Sequence, residues 1–142
     1  MLISERMSSN LVTITPDETV SLAARLLYRH NLGALPVCRE DGSLVGIVTD
    51  RDIVLRCVAV ALDPEQTAVR ELMSRQVHTV APHESTKLAA QLMAEKQVRR
   101  LPVVSKGKVL GMLSLGDLAK TRGFDMEAAM ALTEISDNMK RK

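Results

Sequence analysis

The chain has 142 residues, a net charge of +2, 46% apolar residues and only 1% aromatic ones. That length suits one compact domain with a sizeable core, and the core must be aliphatic, with eight methionines available as gap-fillers. Scarce aromatics and scattered basic residues argue against a nucleic-acid partner. No run is long and apolar enough to span a membrane, and the first ten residues lack a secretory apolar region, so the cytosol is the expected location.

In chain order, Asn10 to Ile14 alternates weakly and predicts a short strand, broken by Thr15-Pro16-Asp17-Glu18. Thr19 is a good N-cap for a helix from Val20 to His30, with Leu22, Ala23, Leu26 and Leu27 at helical spacing. Asn31-Leu32-Gly33 ends it, and Gly33 is the expected left-handed cap. Leu35 to Cys38 predicts a strand whose Pro36 suits an edge or a start. Asp41-Gly42 is a hairpin signal, Leu44 to Val48 a second strand, and Thr49 the cap of a helix from Asp50 to about Ala61. A polar connector, Asp63 to Thr67, follows.

The order then repeats. Gln76 to Val80 predicts a strand, Ser85 caps a helix from Thr86 to Lys96, and Leu101–Val104 and Val109–Leu113 are strands around a Lys106-Gly107-Lys108 turn. Ser114 caps the last helix of the repeat. Shifted by 66 residues, Met7-Ser8 falls on Met73-Ser74, Pro16 on Pro82, Glu18 on Glu84 and Leu35-Pro36-Val37 on Leu101-Pro102-Val103. Shifted by 65, Gly46 falls on Gly111, Thr49 on Ser114 and Asp52 on Asp117. The fold class is therefore mixed α+β: two strand–helix–strand–strand–helix motifs packed with pseudo-twofold symmetry into one module. The expected boundaries are 7–62 for the first motif, 63–72 for the connector and 73–122 for the second motif. A C-terminal helix and tail occupy 123–142, the helix running from Asp125 to about Asn138 with Ala128, Leu132 and Ile135 on one face.

Little points to catalysis or metal. Cys38 and Cys57 have no CxxC or neighbouring His and read as reduced structural thiols. His30, His78 and His83 lack metal-ligand spacing. Neither a Walker loop nor a GxGxxG run occurs, so no catalytic residue, required cofactor or metal is expected. Gly46 and Gly111 sit inside strands, which points to close backbone packing.

The doubled pattern resembles a tandem pair of CBS motifs, the cystathionine-beta-synthase-type regulatory module. In the first copy the matching residues are Met7-Ser8, Thr13, Pro16, Leu35-Pro36-Val37 and Gly46 to Asp52. In the second they are Met73-Ser74, Thr79, Pro82, Leu101-Pro102-Val103 and Gly111 to Asp117. The resemblance covers Met7 to about Arg122 and implies a stand-alone module. It further implies a disc-like homodimer, an adenine-containing ligand such as AMP, ADP, ATP or S-adenosylmethionine in clefts between the motifs, and a regulated protein partner. It also implies that the hydroxyl and helix start meet phosphate while the Asp meets ribose hydroxyls.

Those residue types suit that chemistry. A helix start offers N–H donors and partial positive charge to phosphate, and Thr49 adds a hydroxyl. Arg51 can give charge-assisted bonds, and the Asp52 carboxylate can accept both protons of a ribose diol. Thr-x-x-Asp is equally a capping box that needs no ligand. In the second copy Ser114 and Asp117 keep the hydroxyl and the acid, but Gly116 replaces the arginine. Arg100, at a strand start, is the candidate replacement. Ile14, Ala34 and Pro36, or Val80, Arg100 and Pro102, are candidates for an adenine slot and are equally readable as core. The expected function is a nucleotide-sensing regulatory module. The alternative is a constitutive structural or interaction protein with vestigial clefts.

Overall fold

The computed structural model of the chain describes residues 1–120 and Ile135. Helix α1 (Val20–His30) precedes strands β1 (Ala34–Cys38) and β2 (Leu44–Thr49), and helix α2 (Asp50–Ile53) widens into a π-helical stretch over Val54–Val58. Helix α3 (Thr86–Lys96), strands β3 (Arg100–Ser105) and β4 (Lys108–Ser114) and helix α4 (Leu115–Ala119) repeat the order. Each pair of strands forms a two-stranded sheet. Of the expected C-terminal helix, only Ile135 is among the described residues; it is helical and buried.

The long helices begin and end where local chemistry dictates. Thr19 accepts the Leu22 N–H at 3.1 Å, and Ser85 accepts the Leu88 N–H at 3.1 Å. The left-handed residue that stops α1 is Asn31 (φ 53°), not the expected Gly33, and Gln97 (φ 59°) does the same for α3. Leu32 N–H then reaches back to Leu27 O, and Val98 N–H to Met93 O, closing the usual reverse turn at a helix end. In the second hairpin Lys106 and Gly107 both have positive φ, which matches the twist of the strands they join.

Two expected strands are not strands. Among the described residues, 10–14 contributes a single parallel bridge, Ile14 to Val37, and 76–80 a single bridge, Val80 to Val103. Ile14 N–H donates to Pro36 O at 3.1 Å and Cys38 N–H to Ile14 O at 2.8 Å, after which the pairing stops. Pro36 can sit inside β1 because its missing N–H would face this side, where the neighbouring chain is bonded at one residue only.

The chain divides into two compact units that cut across the sequence repeat. One comprises Met1–Leu11, His78–Lys106 and the described residues from Leu110; the other comprises Val12–Val77 and Gly107–Val109. In the first unit Ile3, Ala89, Met93, Leu101, Leu113 and Leu118 form the centre of an aliphatic core. In the second, Val20, Leu35, Val37, Val48, Val69 and Leu72 do so.

Each unit therefore takes a short strap from outside its own motif. In the first unit Ile3 N–H donates to Glu84 O at 2.9 Å and Ser4 N–H to Pro82 O at 3.0 Å, while Ser8 and Met112 exchange bonds of 2.8 and 3.1 Å. In the second, Val69 N–H donates to Glu18 O at 2.8 Å and Arg70 N–H to Pro16 O at 3.0 Å, while Ser74 and Ile47 exchange bonds of 2.9 and 3.0 Å. The two sets match position for position. The repeated Met-Ser, Pro and Glu thus mark where strap meets motif. Gly46 and Gly111 are the contact points: a Cβ on Gly46 would lie 2.8 Å from Ser74 O and 2.8 Å from Met73 Sδ, and a Cβ on Gly111 would run into Ser8 O. Packing, as expected, explains both glycines.

The connector is bonded throughout. Thr67 is buried, its hydroxyl donates to Asp63 O at 2.8 Å, and its own carbonyl accepts Val20 N–H at 2.9 Å.

Candidate functional site

Thr49 closes β2 and opens α2. Its hydroxyl oxygen accepts the Asp52 N–H at 3.0 Å, and Asp52 Oδ2 accepts the Thr49 N–H at 2.9 Å. Ser114 and Asp117 repeat this arrangement with bonds of 3.0 and 2.9 Å. Both are complete capping boxes. The Asp52 side chain is only 14% exposed, with Arg56 Nε 3.9 Å from Oδ1. Arg51 is exposed in the first turn.

The helix start of the first copy does not offer the open amides that the sequence suggests. Asp50 N–H donates to Gly33 O at 3.1 Å, Arg51 N–H to Asp50 Oδ1 at 2.8 Å, and Asp52 N–H to Thr49 Oγ1. What remains for an anion is the Thr49 hydroxyl proton and the Arg51 guanidinium. In the second copy Leu115 N–H donates to Arg99 O at 2.8 Å.

The fold gathers the first-copy candidates at one end of the hairpin. Ala34 pairs with Thr49 across the sheet, Pro36 pairs with Ile47, and Ile14 is bonded to Pro36. Val80 is likewise bonded to Pro102. Ile14, Ala34, Pro36, Val80 and Pro102 are all buried, whereas Arg100 is exposed at the start of β3.

Sequence reasoning passed over Arg56, whose Nη1 donates to Leu72 O at 2.9 Å. Its spacing of four residues from Asp52 was the available signal. Elsewhere, burial and then the nearby Asp41 charge push the Cys38 thiol up. Bonds from the Ser43 side chain and backbone hold the Asp41 carboxyl below its ordinary range. Among the described residues no group of three His, Cys, Asp or Glu could hold a metal ion, and no helix is long and apolar enough to cross a membrane.

The CBS-domain family model matches the chain twice, over residues 3–58 and 69–122. The chain belongs to the CBS-domain family. Both matches begin at a strap, before the boundaries that the repeat suggests. The CBS domain-containing protein YhcV of Bacillus subtilis is 42% identical over 134 residues, 94% of each chain. The CBS domain pair of protein MJ0100, solved in complex with 5′-methylthioadenosine and S-adenosyl-L-methionine, is 29% identical with a TM-score of 0.75, covering 84% of this chain and 94% of that one. A hexameric CBS-CP12 protein from bloom-forming cyanobacteria is 32% identical with a TM-score of 0.78, covering 89% of this chain and 74% of that one. The mixed helix and strand architecture expected from the repeat is that of these CBS pairs.

Proposed function

We propose that this CBS pair is a regulatory module that binds an adenine-containing nucleotide at its hydroxyl-then-acid helix openings. The single observation that carries the reading is the recurrence of one cap geometry at Thr49/Asp52 and Ser114/Asp117. The adenosine-derived ligands of the MJ0100 pair support it. In this reading the Asp52 and Asp117 carboxylates take the ribose diol, and the Thr49 and Ser114 hydroxyls take phosphate with Arg51 and Arg100. Ile14, Ala34 and Pro36, and Val80 with Pro102, flank the base. Signalling to a regulated protein requires that the ligand bind two states of the module unequally.

The reading includes a homodimer in the cytosol. Val54, Leu55, Val58, Val60 and Leu62, which follow the first opening, are between 45% and 64% exposed. The only charge within this run is Arg56, already bonded in-chain. Five exposed apolar side chains around one charge, which is paired with Asp52, make a surface that a second copy can cover across a twofold axis.

A second reading, a constitutive interaction protein with vestigial sites, is favoured by the burial of the base-flanking residues and by the self-sufficient caps. Thermal melts with AMP, ADP, ATP, S-adenosylmethionine and NADH separate the two. A true ligand at a hundred times its Kd adds about 2.7 kcal/mol, a shift of several degrees that Asp52→Ala reduces and that Asp52→Ala with Asp117→Ala removes. Flat melts across the whole panel leave the second reading standing.

A further inference from the structure

We propose that Arg56 is a positioning residue for the Asp52 carboxylate and ties it to the strap at Leu72. The inference rests on the nucleotide reading of the first opening and adds a means by which that opening is regulated.

The contacts around Arg56, one ion pair and one hydrogen bond, lead from the opening to the strap. Asp52 Oδ2 holds the Thr49 N–H at 2.9 Å, and Oδ1 faces Arg56 Nε at 3.9 Å. The same guanidinium donates through Nη1 to Leu72 O at 2.9 Å. Two residues on, Ser74 exchanges both backbone bonds with Ile47, which lies two residues before Thr49. Leu72 is buried at 1% exposure, so its carbonyl is a fixed anchor, whereas Arg56 is 53% exposed and would otherwise roam. Arginine suits this place because its rigid fork presents several donors at once: one nitrogen can be anchored while another faces the acid.

The π-helical stretch sets the geometry. Ala59 N–H bonds to Val54 O at 2.8 Å, five residues back. Such a widened turn changes the facing of the side chains it contains, and such turns are frequent at functional sites. Here it leaves Cys57 fully buried while Arg56 reaches Leu72. Movement of the Asp52 carboxylate toward a diol would be felt at the Leu72 carbonyl, and through Ser74 at β2. The position 65 residues after Arg56 is Thr121, short and neutral. Threonine has no guanidinium, so the repeat carries over the opening but not the residue type of Arg56.

Amide hydrogen exchange on the full chain tests this without any ligand, because the Thr49 N–H reports directly on where the carboxylate sits. Arg56→Ala should speed exchange at Thr49 and Ser74 about tenfold, leave Leu22, which Thr19 caps, unchanged, and Arg56→Lys should recover part of the loss. AMP titration gives the second arm. Arg56→Ala should weaken AMP about tenfold in the wild-type background and have no further effect in Asp52→Ala, since residues acting through one another are non-additive. Unchanged exchange at Thr49 and Ser74 in Arg56→Ala overturns the proposal, as do strictly additive losses in the AMP cycle. If AMP fails to bind the wild type, the nucleotide reading fails for that probe, and the exchange data alone decide the role of Arg56.

Discussion

At the scale of single residues, Thr49 and Asp52 do two jobs at different energies. Their mutual bonds cap α2, and Thr49→Ala should cost about 1 kcal/mol of stability in a denaturant melt. Asp52→Ala should cost a similar amount, but it should also reduce the nucleotide-induced shift, which a cap alone cannot explain. Ala61 offers the opposite sign. It adopts φ 61°, and Leu62 N–H reaches back to Cys57 O. Ala61→Gly relieves the Cβ clash of the left-handed conformation, and a gain of about 0.5 to 1 kcal/mol is expected after the entropy of the unfolded glycine is subtracted.

Asp41 carries a pH signature. Ser43 N–H and Oγ–H donate to Asp41 Oδ1 at 2.9 and 2.7 Å, so its folded pKa lies below the unfolded one. The stabilisation is present above the unfolded pKa and fades as pH falls through the folded one. Carboxyl titration by NMR should show the Asp41 midpoint rising toward the ordinary Asp value in Ser43→Ala.

At the scale of elements, the contact between strap and strand is the place most sensitive to volume. Gly111→Ala drives a methyl group into the backbone carbonyl of Ser8, which cannot swing aside, and should cost at least the 1 to 3 kcal/mol typical of overpacking. Gly46→Ala meets Ser74 O and Met73 Sδ at 2.8 Å each and should cost nearly as much, because only the Met73 thioether can yield. Urea midpoints measure both. A loss below 0.5 kcal/mol at Gly111 would contradict the close approach.

The same elements show what local chemistry reveals. Helices α1 and α3 were legible to the residue because Thr19 and Ser85 are strong caps and the apolar spacing is regular. The segments 10–14 and 76–80 looked like strands because Val, Thr and Ile read alike whether one residue is paired or five. The widening of α2 was not legible, since a run apolar on all sides hides a change in helical period. The hydroxyl-then-acid openings were visible as motifs, but the engagement of the Arg51 and Asp50 amides depends on the Asp50 side chain and the Gly33 carbonyl, which no spacing rule joins.

At the scale of the molecule, the apolar run after the first opening sets the assembly prediction. Val58→Asp places a charge on the most exposed of the five apolar residues, 64% open, and should leave the proposed homodimer monomeric in light-scattering chromatography without lowering the melting temperature of the monomer. A variant that stays dimeric removes this patch from consideration. The repeat itself reported that Met-Ser recurs, but not which glycine each Met-Ser meets. That pairing is a three-dimensional fact, because either glycine satisfies the same local pattern.

The crossed straps mean that half a gene is not half a protein. A fragment ending in the connector would keep Ile3 and Ser8, whose bonding partners lie beyond residue 80, and would discard Val69 and Ser74, on which its own β2 leans. Cutting instead at residues 12 and 77 retains the whole hydrogen-bonded set around Ile47, Pro16 and Glu18. The shorter-looking choice should melt without cooperativity, and the shifted one should keep a transition by circular dichroism. Recombination between relatives would, by the same logic, succeed at those offset junctions and fail at the apparent seam.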